Sequence, residues 1–279
     1  NELREDGYEI LSSSKKGYKL GSIPDIINLF EISQGLDTQI IGSDIKYFDT
    51  IDSTNNYAKE IAQESCKDGT VVVADTQTSG RGRLGRSWSS PRGKGIWMSV
   101  VLRPEIPPYD VQVITLAASV AIVQAIRDAT CIQTQIKWPN DILLDGKKVC
   151  GILTEMNSEM DRINYLVLGI GINVNQLKED FPEELWDTAT SLRMYANHNK
   201  LSVTTYKRSD IIKKILHELE IVYKKVCTGN TGDILRQWKR YSAVLGKKIR
   251  IIYKNGEVTG TARNVTNDGR LVVYCDDGV

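Results

Sequence analysis

The sequence predicts an α+β fold in which helices pack against a mixed β-sheet. Two apolar segments, 95–102 and 165–175, have the length and composition of buried strands. Two others, 113–129 and 206–226, repeat apolar residues at helical spacing. From about residue 242 onwards, short strands alternate with Asn-Gly and Asp-Gly turns, which predicts a small β module after the main domain.

Composition limits the classes of function that the chain can have. Its 279 residues allow two domains or one large domain with an appendage, and 41% hydrophobic residues suffice for a core. The net charge of +1 gives no overall attraction to nucleic acid or membrane. Five scattered cysteines without a Cys-x-x-Cys pair and two histidines argue against a disulfide framework, a zinc site and Ser-His catalysis. With no signal peptide and no apolar run of membrane-spanning length, we expect a cytoplasmic protein that does not bind membranes.

The first part of the chain is expected to form a hairpin followed by a helix. Strands are predicted over residues 8–11 and 17–20, around a polar loop with lysines at its tip. From the residues alone, such a hairpin is most often a solvated edge. Ser22 is the expected N-cap of a helix that runs to about Phe30, because Asp25 would be favoured in its first turn by the helix dipole.

A strand over residues 45–48 leads into the polar sequence Asp-Ser-Thr-Asn. Asp52 or Ser53 would cap a helix with an apolar face, and capping alone explains such residues about as often as a function does. In the functional interpretation, Ser53, Thr54 and Asn55 lie at a helix N-terminus and hydrogen-bond a neutral, amide-like ring such as a ureido group.

The most distinctive stretch is a basic, glycine-rich loop between a strand at 71–74 and the strand at 95–102. It contains no acid, and its cations are Arg81, Arg83, Arg86, Arg92 and Lys94. Glycine lets a ligand approach the backbone, and the arginine side chain matches phosphate or carboxylate oxygens. The alternative is a disordered Arg-Gly loop that touches RNA, but such a tail would repeat and would not lie between two apolar strands. The loop therefore predicts an anion site.

Residues 136–155 predict a hairpin that carries charges and amides. The proline of Lys-Trp-Pro-Asn-Asp must mark a bend or bulge in the first strand, and Asp-Gly at 145–146 makes the turn. The bend would place Asn140 and Asp141 near Lys148 on the returning strand. Exposed hairpin charges without a function are the alternative.

These motifs together resemble those of the biotin–protein ligases. The family pattern Gly-Arg-Gly-Arg-x-Gly-Arg, followed by an aromatic residue, matches residues 80–88, and its Asp-Ser-Thr-Asn matches residues 52–55. Lys-Trp-Pro-Asn-Asp with Gly-Lys-Lys-Val-Cys-Gly-Ile-Leu, then Gly-Ile-Gly-Ile-Asn-Val-Asn and Thr-Ser-Leu, match further family phrases at residues 137–153, 169–175 and 190–192. Independent phrases in the same order argue against chance agreement.

The resemblance also implies a domain organisation. Residues 35–241 would form a class II synthetase-like catalytic domain, and residues 242–279 an incomplete SH3-like β-barrel. Residues 1–21 resemble the wing hairpin of a winged helix-turn-helix domain, and residues 22–34 would be a linker helix. A wing contacts phosphates but does not read bases in the major groove. The chain thus resembles an N-terminally truncated bifunctional ligase and biotin-operon repressor, which would bind operator DNA only with the missing helices present.

The activity implied by the resemblance is ATP-dependent protein biotinylation. Biotin would become biotinyl-5′-adenylate, with Mg²⁺ bound through ATP and no protein metal site, and a lysine of a biotin carboxyl carrier protein would then accept biotin. The expected catalytic residues are Arg83, Lys148 and Asp141, of which Asp141 orients either Lys148 or the incoming lysine. The expected biotin-binding residues are Ser53, Thr54, Asn55, Gln77, Gly80, Arg81, Gly82, Arg83, Trp138, Lys148 and Gly151. The expected ATP-binding residues are Arg83, Arg86, Trp88, Asn140, Lys148 and Asn173.

Two rival functions remain at this point. A lipoate or octanoyl transferase of related fold would lack the Gly-Arg-Gly-Arg-x-Gly-Arg loop, and a DNA-binding regulator would sense biotin without using ATP. We expect residues 80–95 to be mobile without ligand, because nothing apolar pins their glycine-rich part. Ordering of this loop by adenylate is expected to promote an edge-to-edge homodimer on the surface that otherwise accepts the carrier.

Overall fold

The computed structural model describes residues 2–5, 7–13, 17–21, 24–253 and 256–275. The helices are α1 (Glu2–Glu5), α2 (Leu29–Ser33), α3 (Thr54–Gln63), α4 (Val111–Thr130), α5 (Leu192–His198), α6 (Arg208–Cys227) and α7 (Gly232–Tyr241). The strands are β1 (Ile10–Ser13), β2 (Gly17–Leu20), β3 (Ile45–Ile51), β4 (Val71–Gln77), β5 (Gly95–Leu102), β6 (Gln135–Lys137), β7 (Asp141–Leu144), β8 (Lys147–Ser158), β9 (Ile163–Asn173), β10 (Lys248–Tyr253), β11 (Gly256–Val265) and β12 (Leu271–Cys275).

The main domain is built on a seven-stranded sheet in the order β3-β4-β5-β9-β8-β7-β6. β3 and β4 are parallel and the other neighbouring strands are antiparallel, so the sheet is mixed and the predicted α+β class is confirmed. Helix α3 packs on one face against Val72, Val101 and Val167. On the same face of β9, Gly169 and Gly171 follow Val167 at every second position. The sheet is therefore left open on this face beyond the end of α3.

The opposite face of the sheet is covered by α4, α6 and α7. Helix α4 confirms the helix predicted over residues 113–129, and most of its side chains are buried. The expectation that no apolar run reaches membrane-spanning length is wrong for Pro108–Thr130, which is apolar and long enough. In the described part of the chain this segment packs against α6 and α7 as a core helix. The helix predicted over 206–226 is confirmed as α6.

The linker before the sheet corrects one prediction. The helix expected to begin at Ser22 is wrong: residues 24–28 are not helical, and Ser22 lies outside the described residues. The helix here is Leu29–Ser33, capped by the side chain of Asn28. The carboxylate of Asp25 does not serve this helix, because it accepts the backbone N–H of Arg208 at 2.8 Å and so occupies the N-terminus of α6.

A buried ionic cluster joins the linker to the sheet. Arg208 is 2% exposed, and its guanidinium pairs with Asp25 at 2.8 Å and with Asp75, in β4, at 2.7 Å. It also donates to the carbonyl of Gly95, where β5 begins. Asp75 in turn accepts the N–H of Gly93 at 3.3 Å, at the far end of the basic loop. One arginine therefore holds the linker, β4 and the end of the loop together.

Two small sheets lie outside the main sheet. β1 and β2 form the predicted N-terminal hairpin, although its first strand begins at Ile10 and not at Tyr8. Tyr8 is buried, and its hydroxyl donates to Glu31. β10, β11 and β12 form a three-stranded antiparallel sheet, which confirms the β module after residue 242. The expected Asn-Gly turn between β10 and β11 falls partly outside the described residues.

Candidate active site

A cleft opens on the α3 face of the sheet, where β8 and β9 carry glycines. It is lined by residues of α3, β4, β5, β8 and β9 and of the loop before β5, a concave arrangement typical of sites for small ligands. Gly151 and Gly171 lie opposite each other, and a Cβ at either would lie 2.8 or 2.7 Å from the ring of Trp88. A Cβ at Gly169 would overlap the amide oxygen of Asn55. The glycines therefore give the cleft its depth.

One end of the cleft, formed by Ser53, Thr54 and Gln77, carries neutral hydrogen-bonding groups. Gln77 Oε1 accepts the backbone N–H and the hydroxyl of Thr54, at 2.9 and 3.0 Å. Ser53 is the N-cap of α3 as predicted, but its side chain makes no capping bond. The hydroxyl of Ser99 lies 2.8 Å from Thr54 Oγ1 and 2.6 Å from Asn55 Oδ1. This neutral end offers donors and acceptors to an amide-like group.

Residues 80–88 form a small hairpin beside the cleft. The N–H of Gly82 donates to the carbonyl of Arg86 at 2.7 Å, which closes the hairpin. Leu84 at its tip has a φ of 57° and is 90% exposed, so no apolar contact holds the tip. The predicted mobility of residues 80–95 is consistent with this exposure and stays a prediction.

Two arginines attach this hairpin to the body of the domain. Arg81 Nη1 donates to Asn56 Oδ1 at 2.8 Å, and its Nη2 lies 3.4 Å from the carboxylate of Glu155. Arg83 Nη1 donates to Asn140 Oδ1 at 3.0 Å. The exposed Arg83 contact contributes about 1 kcal/mol, so a ligand that binds this arginine can replace it.

The other end of the cleft is formed by Lys148, its partner Asp141, and Arg83. We call it the cationic end. Lys148 Nζ lies 2.7 Å from Asp141 Oδ1 and 5.2 Å from the ring centroid of Trp88. The backbone of Lys148 donates to Thr188 and accepts from Thr190, at 2.7 and 2.9 Å. This pairing fixes the strand from which the ammonium projects.

Cys150 follows Lys148 by two residues but is fully buried. Burial raises the pKa of its thiol, and the nearby Lys148 ammonium only partly opposes that effect. The thiol is therefore protonated at neutral pH and is not a nucleophile.

The structure brings most of the predicted site residues into one cleft. The cleft is lined by Ser53, Thr54, Asn55, Gln77, Arg81, Gly82, Arg83, Trp88, Asn140, Lys148 and Gly151. Gly80 and Asp141 stand just behind this lining, packed against Gln77 and paired with Lys148 respectively.

Three predicted residues lie elsewhere. The indole of Trp138 donates to the carbonyl of Gly269 at 3.2 Å, so it bridges the sheet and the C-terminal module instead of lining the cleft. Asn173 is buried and donates to the carbonyl of Thr190 at 3.1 Å, which places it behind Lys148. Arg86 is exposed on the hairpin.

Sequence reasoning missed Ser99, Asn56 and Glu155. Ser99 lies opposite Gly169 in the register of β5 and β9, where it is buried and its hydroxyl donates to Asn55. Glu155 lies on the same face of β8 as Gly151, because side chains alternate along a strand. Counting every second residue from Gly151 would have revealed Glu155.

The fold of this chain is that of the biotin protein ligases. Residues 47–173 match the model of the Biotin/lipoate A/B protein ligase family, and residues 244–279 match the Biotin protein ligase C terminal domain. The bifunctional ligase/repressor BirA of Bacillus subtilis is 43% identical over 278 residues, covering 100% of this chain and 84% of that protein. The chain belongs to the biotin protein ligase family.

More distant relatives agree. The biotin–[acetyl-CoA-carboxylase] ligase of Mycobacterium tuberculosis is 33% identical over 209 residues, which are 73% of each chain. The structure of the Aquifex aeolicus biotin protein ligase in complex with biotin and ATP superposes with a TM-score of 0.70 at 28% identity, covering 85% of this chain and 94% of that one.

Proposed function

We propose that this ligase converts biotin and ATP into biotinyl-5′-adenylate and then transfers biotin to a lysine of a carrier protein. The polarity of the cleft supports this assignment. Its neutral end, with Thr54 and Gln77, suits the ureido ring, and its cationic end, with Arg83 and Lys148, suits the carboxylate at the other end of biotin.

The cations are needed because activation brings two anions together. A biotin carboxylate oxygen attacks the α-phosphorus of ATP, and the bond to the bridging oxygen breaks to release pyrophosphate. Two like charges about 4 Å apart repel by about 4 kcal/mol at a partly screened site. Lys148, and Arg83 once it leaves Asn140, supply the opposing charge in the transition state. This step requires no nucleophilic side chain.

The remaining predicted ATP residues fit around this centre. Trp88 lies on the glycine floor, where its ring can pack against the adenine, and the exposed Arg86 can reach the phosphates. Asn173 acts indirectly, because its amide holds the segment next to Lys148. Mg²⁺ would be carried by the triphosphate, whose oxygens are ligands that it prefers. Asp141 is paired with Lys148 and would orient that ammonium.

The outer edge of β8 is the surface that we assign to protein partners. β7 pairs with β8 only as far as Gly151, and the N–H of Ile152 still donates to Asn140. Beyond this point, among the residues described, β8 has a strand neighbour only in β9. The backbones of Thr154 and Met156 face the open side, because hydrogen bonding alternates along a strand. A strand of the carrier or of a second ligase could pair there, and each would exclude the other.

The terminal modules complete the proposal. The hairpin of β1 and β2 would be the wing of a winged helix-turn-helix domain, and β10–β12 part of an SH3-like barrel. Operator binding would require a recognition helix in addition to this hairpin. Free thiols at all five cysteines suit a reducing cytoplasm.

The test is a single-turnover reaction with biotin and ATP, analysed by mass spectrometry for the adenylate, followed by addition of a biotin carboxyl carrier domain. We expect adenylate first and a biotinylated carrier lysine second. Biotin binding without ATP consumption would favour a regulator, and preferential use of lipoate or octanoate would favour the related transferases. Either result would contradict the proposal.

A further inference from the structure

Glu155 lies beside the neutral end of the cleft without lining it. It pairs with Val167 in the β8–β9 register and shares its face of the sheet with Gly151 and Leu153, which do line the cleft. Its side chain is 24% exposed and reaches α3 and the hairpin of residues 80–88. The carboxylate thus stands where the sheet, the first turns of α3 and the basic loop meet.

Three donors converge on this carboxylate. Glu155 Oε2 accepts from Asn55 Nδ2 at 2.9 Å, and Oε1 accepts from Lys59 Nζ at 3.1 Å and lies 3.4 Å from Arg81 Nη2. Burial alone would raise the pKa of Glu155, but the bonds from Asn55 and Lys59 and the charges of Lys59 and Arg81 lower it. The group is therefore an anion at neutral pH, which suits it to hold cations and not to transfer protons.

The first consequence concerns Asn55. Its Nδ2 donates to Glu155, while its Oδ1 lies 2.6 Å from the hydroxyl of Ser99, above Gly169. With its donor and its acceptor both engaged, the amide has one orientation. Because the Asn55 amide is fixed before the ligand arrives, less conformational entropy is lost on binding.

The second consequence concerns Arg81. Its flanking glycines, Gly80 and Gly82, have no side chains, so the guanidinium of Arg81 makes the side-chain contacts of this part of the loop, next to the backbone bond from Ser79 to Asp52. Arg81 contacts Asn56 on α3 and Glu155 on β8, at the neutral end, whereas Arg83 contacts Asn140. The Arg81 contacts can therefore persist while Arg83 moves to the reacting groups.

We propose that Glu155 is a positioning residue, which fixes Asn55 and holds Arg81 beside the neutral end of the cleft, and so sets the affinity for the biotin ring but not the rate of adenylation. This inference rests on the proposed function. A merely structural ion pair at this place would change stability without separating KM from kcat.

The test compares Glu155→Gln with Glu159→Gln. The first variant keeps an oxygen for Asn55 but loses the charge that holds Arg81, and the second removes an exposed carboxylate paired with Arg162 just beyond β8. We expect Glu155→Gln to raise the KM for biotin about 10-fold and to keep kcat within about threefold. The substitution weakens the charge-assisted contact that holds Arg81 in the geometry that binds biotin, and it leaves the reacting groups in place. Glu159→Gln should leave both within about twofold of the parent enzyme.

An Arg81→Met variant closes a double-mutant cycle. If Glu155 acts through Arg81, adding Glu155→Gln to Arg81→Met should change the KM by less than about threefold. This residual change would be the effect of Glu155 on Asn55. Fully additive effects, a KM within twofold of the parent enzyme for Glu155→Gln, or a fall in kcat that matches the rise in KM would each overturn the inference.

A readout without substrate separates this inference from the proposed function. Cleavage by an arginine-specific protease after Arg83 and Arg86 should be about fivefold faster in Glu155→Gln than in Glu159→Gln. The reason is that loss of the ion pair between Glu155 and Arg81 lets the loop open more often. If the parent chain makes no adenylate, the proposed function fails. The cleavage comparison then decides by itself whether Glu155 holds Arg81 and the loop. Equal cleavage of the two variants would refute it.

Discussion

Replacement of Lys148 by methionine should reduce adenylate formation about 100-fold. Loss of one preorganised charge aimed at a developing oxyanion costs about 3 kcal/mol, which corresponds to roughly two orders of magnitude in rate. The effect on folding should be far smaller: the side chains of Lys148 and Asp141 are 33% and 24% exposed, and pairs so accessible to water contribute about 1 kcal/mol or less. The measurement is the single-turnover rate of adenylate formation, with thermal unfolding in parallel.

Lys147→Met is the matched control. Lys147 precedes Lys148 on β8, so its side chain leaves the opposite face, where Nζ donates to the carbonyl of Trp186 at 3.1 Å. This variant should keep the rate within about threefold, because it removes a similar charge that faces away from the cleft. Equal losses in both variants, or a Lys148→Met enzyme within fivefold of the parent rate, would refute the electrostatic role of Lys148.

Four further outcomes are expected. Gly171→Ala should raise the KM for ATP more than about 10-fold, measured with saturating biotin, because its methyl group must displace the ring of Trp88. Arg208→Met should lower the free energy of unfolding in urea by about 3–5 kcal/mol, since it leaves two carboxylates largely buried without their cation. Burial alone would raise the pKa of Glu220, but bonds from a lysine and three backbone amides lower it to about 2, below its unfolded value of 4.5. The stability from this depressed pKa is present above about pH 4.5 and lost as the pH falls towards 2, and Glu220→Gln should flatten the urea-unfolding profile in that window. Biotinyl-adenylate should shift sedimentation from monomer to dimer and slow cleavage of residues 80–95, and a carrier domain should reverse the dimerisation; an unchanged monomer would count against the edge assignment.

The main sheet and the cleft floor could be predicted from the sequence because the patterns that indicate them lie within short segments of the chain. Apolar runs predicted β5 and β9, and the turn at Asp145 and Gly146 is present with both residues at positive φ. The glycine-rich phrases also located the floor, since only a residue without Cβ fits at Gly151 and Gly171.

The errors arose where tertiary partners override local preference. Asp25 has the character of a first-turn residue, but Arg208, 183 residues later, recruits its carboxylate to another helix. The first turn of α3 is capped by Gln77 and not by the Ser53 hydroxyl, which the capping pattern could not show. Trp138 sits within a family phrase, yet its indole serves the C-terminal module. Each partner is distant in sequence, so no local pattern encodes it.

The cluster around Arg208 has a consequence for anyone who shortens this protein. The domain boundary suggested by the sequence, at residue 35, would remove Asp25. Arg208 would then keep only one of its two carboxylate partners, Asp75. Cleavage after residue 21 instead removes the hairpin and keeps Asp25. A minimal catalytic fragment should therefore start before Asp25, and a fusion partner joined there would leave the anchor of the basic loop intact.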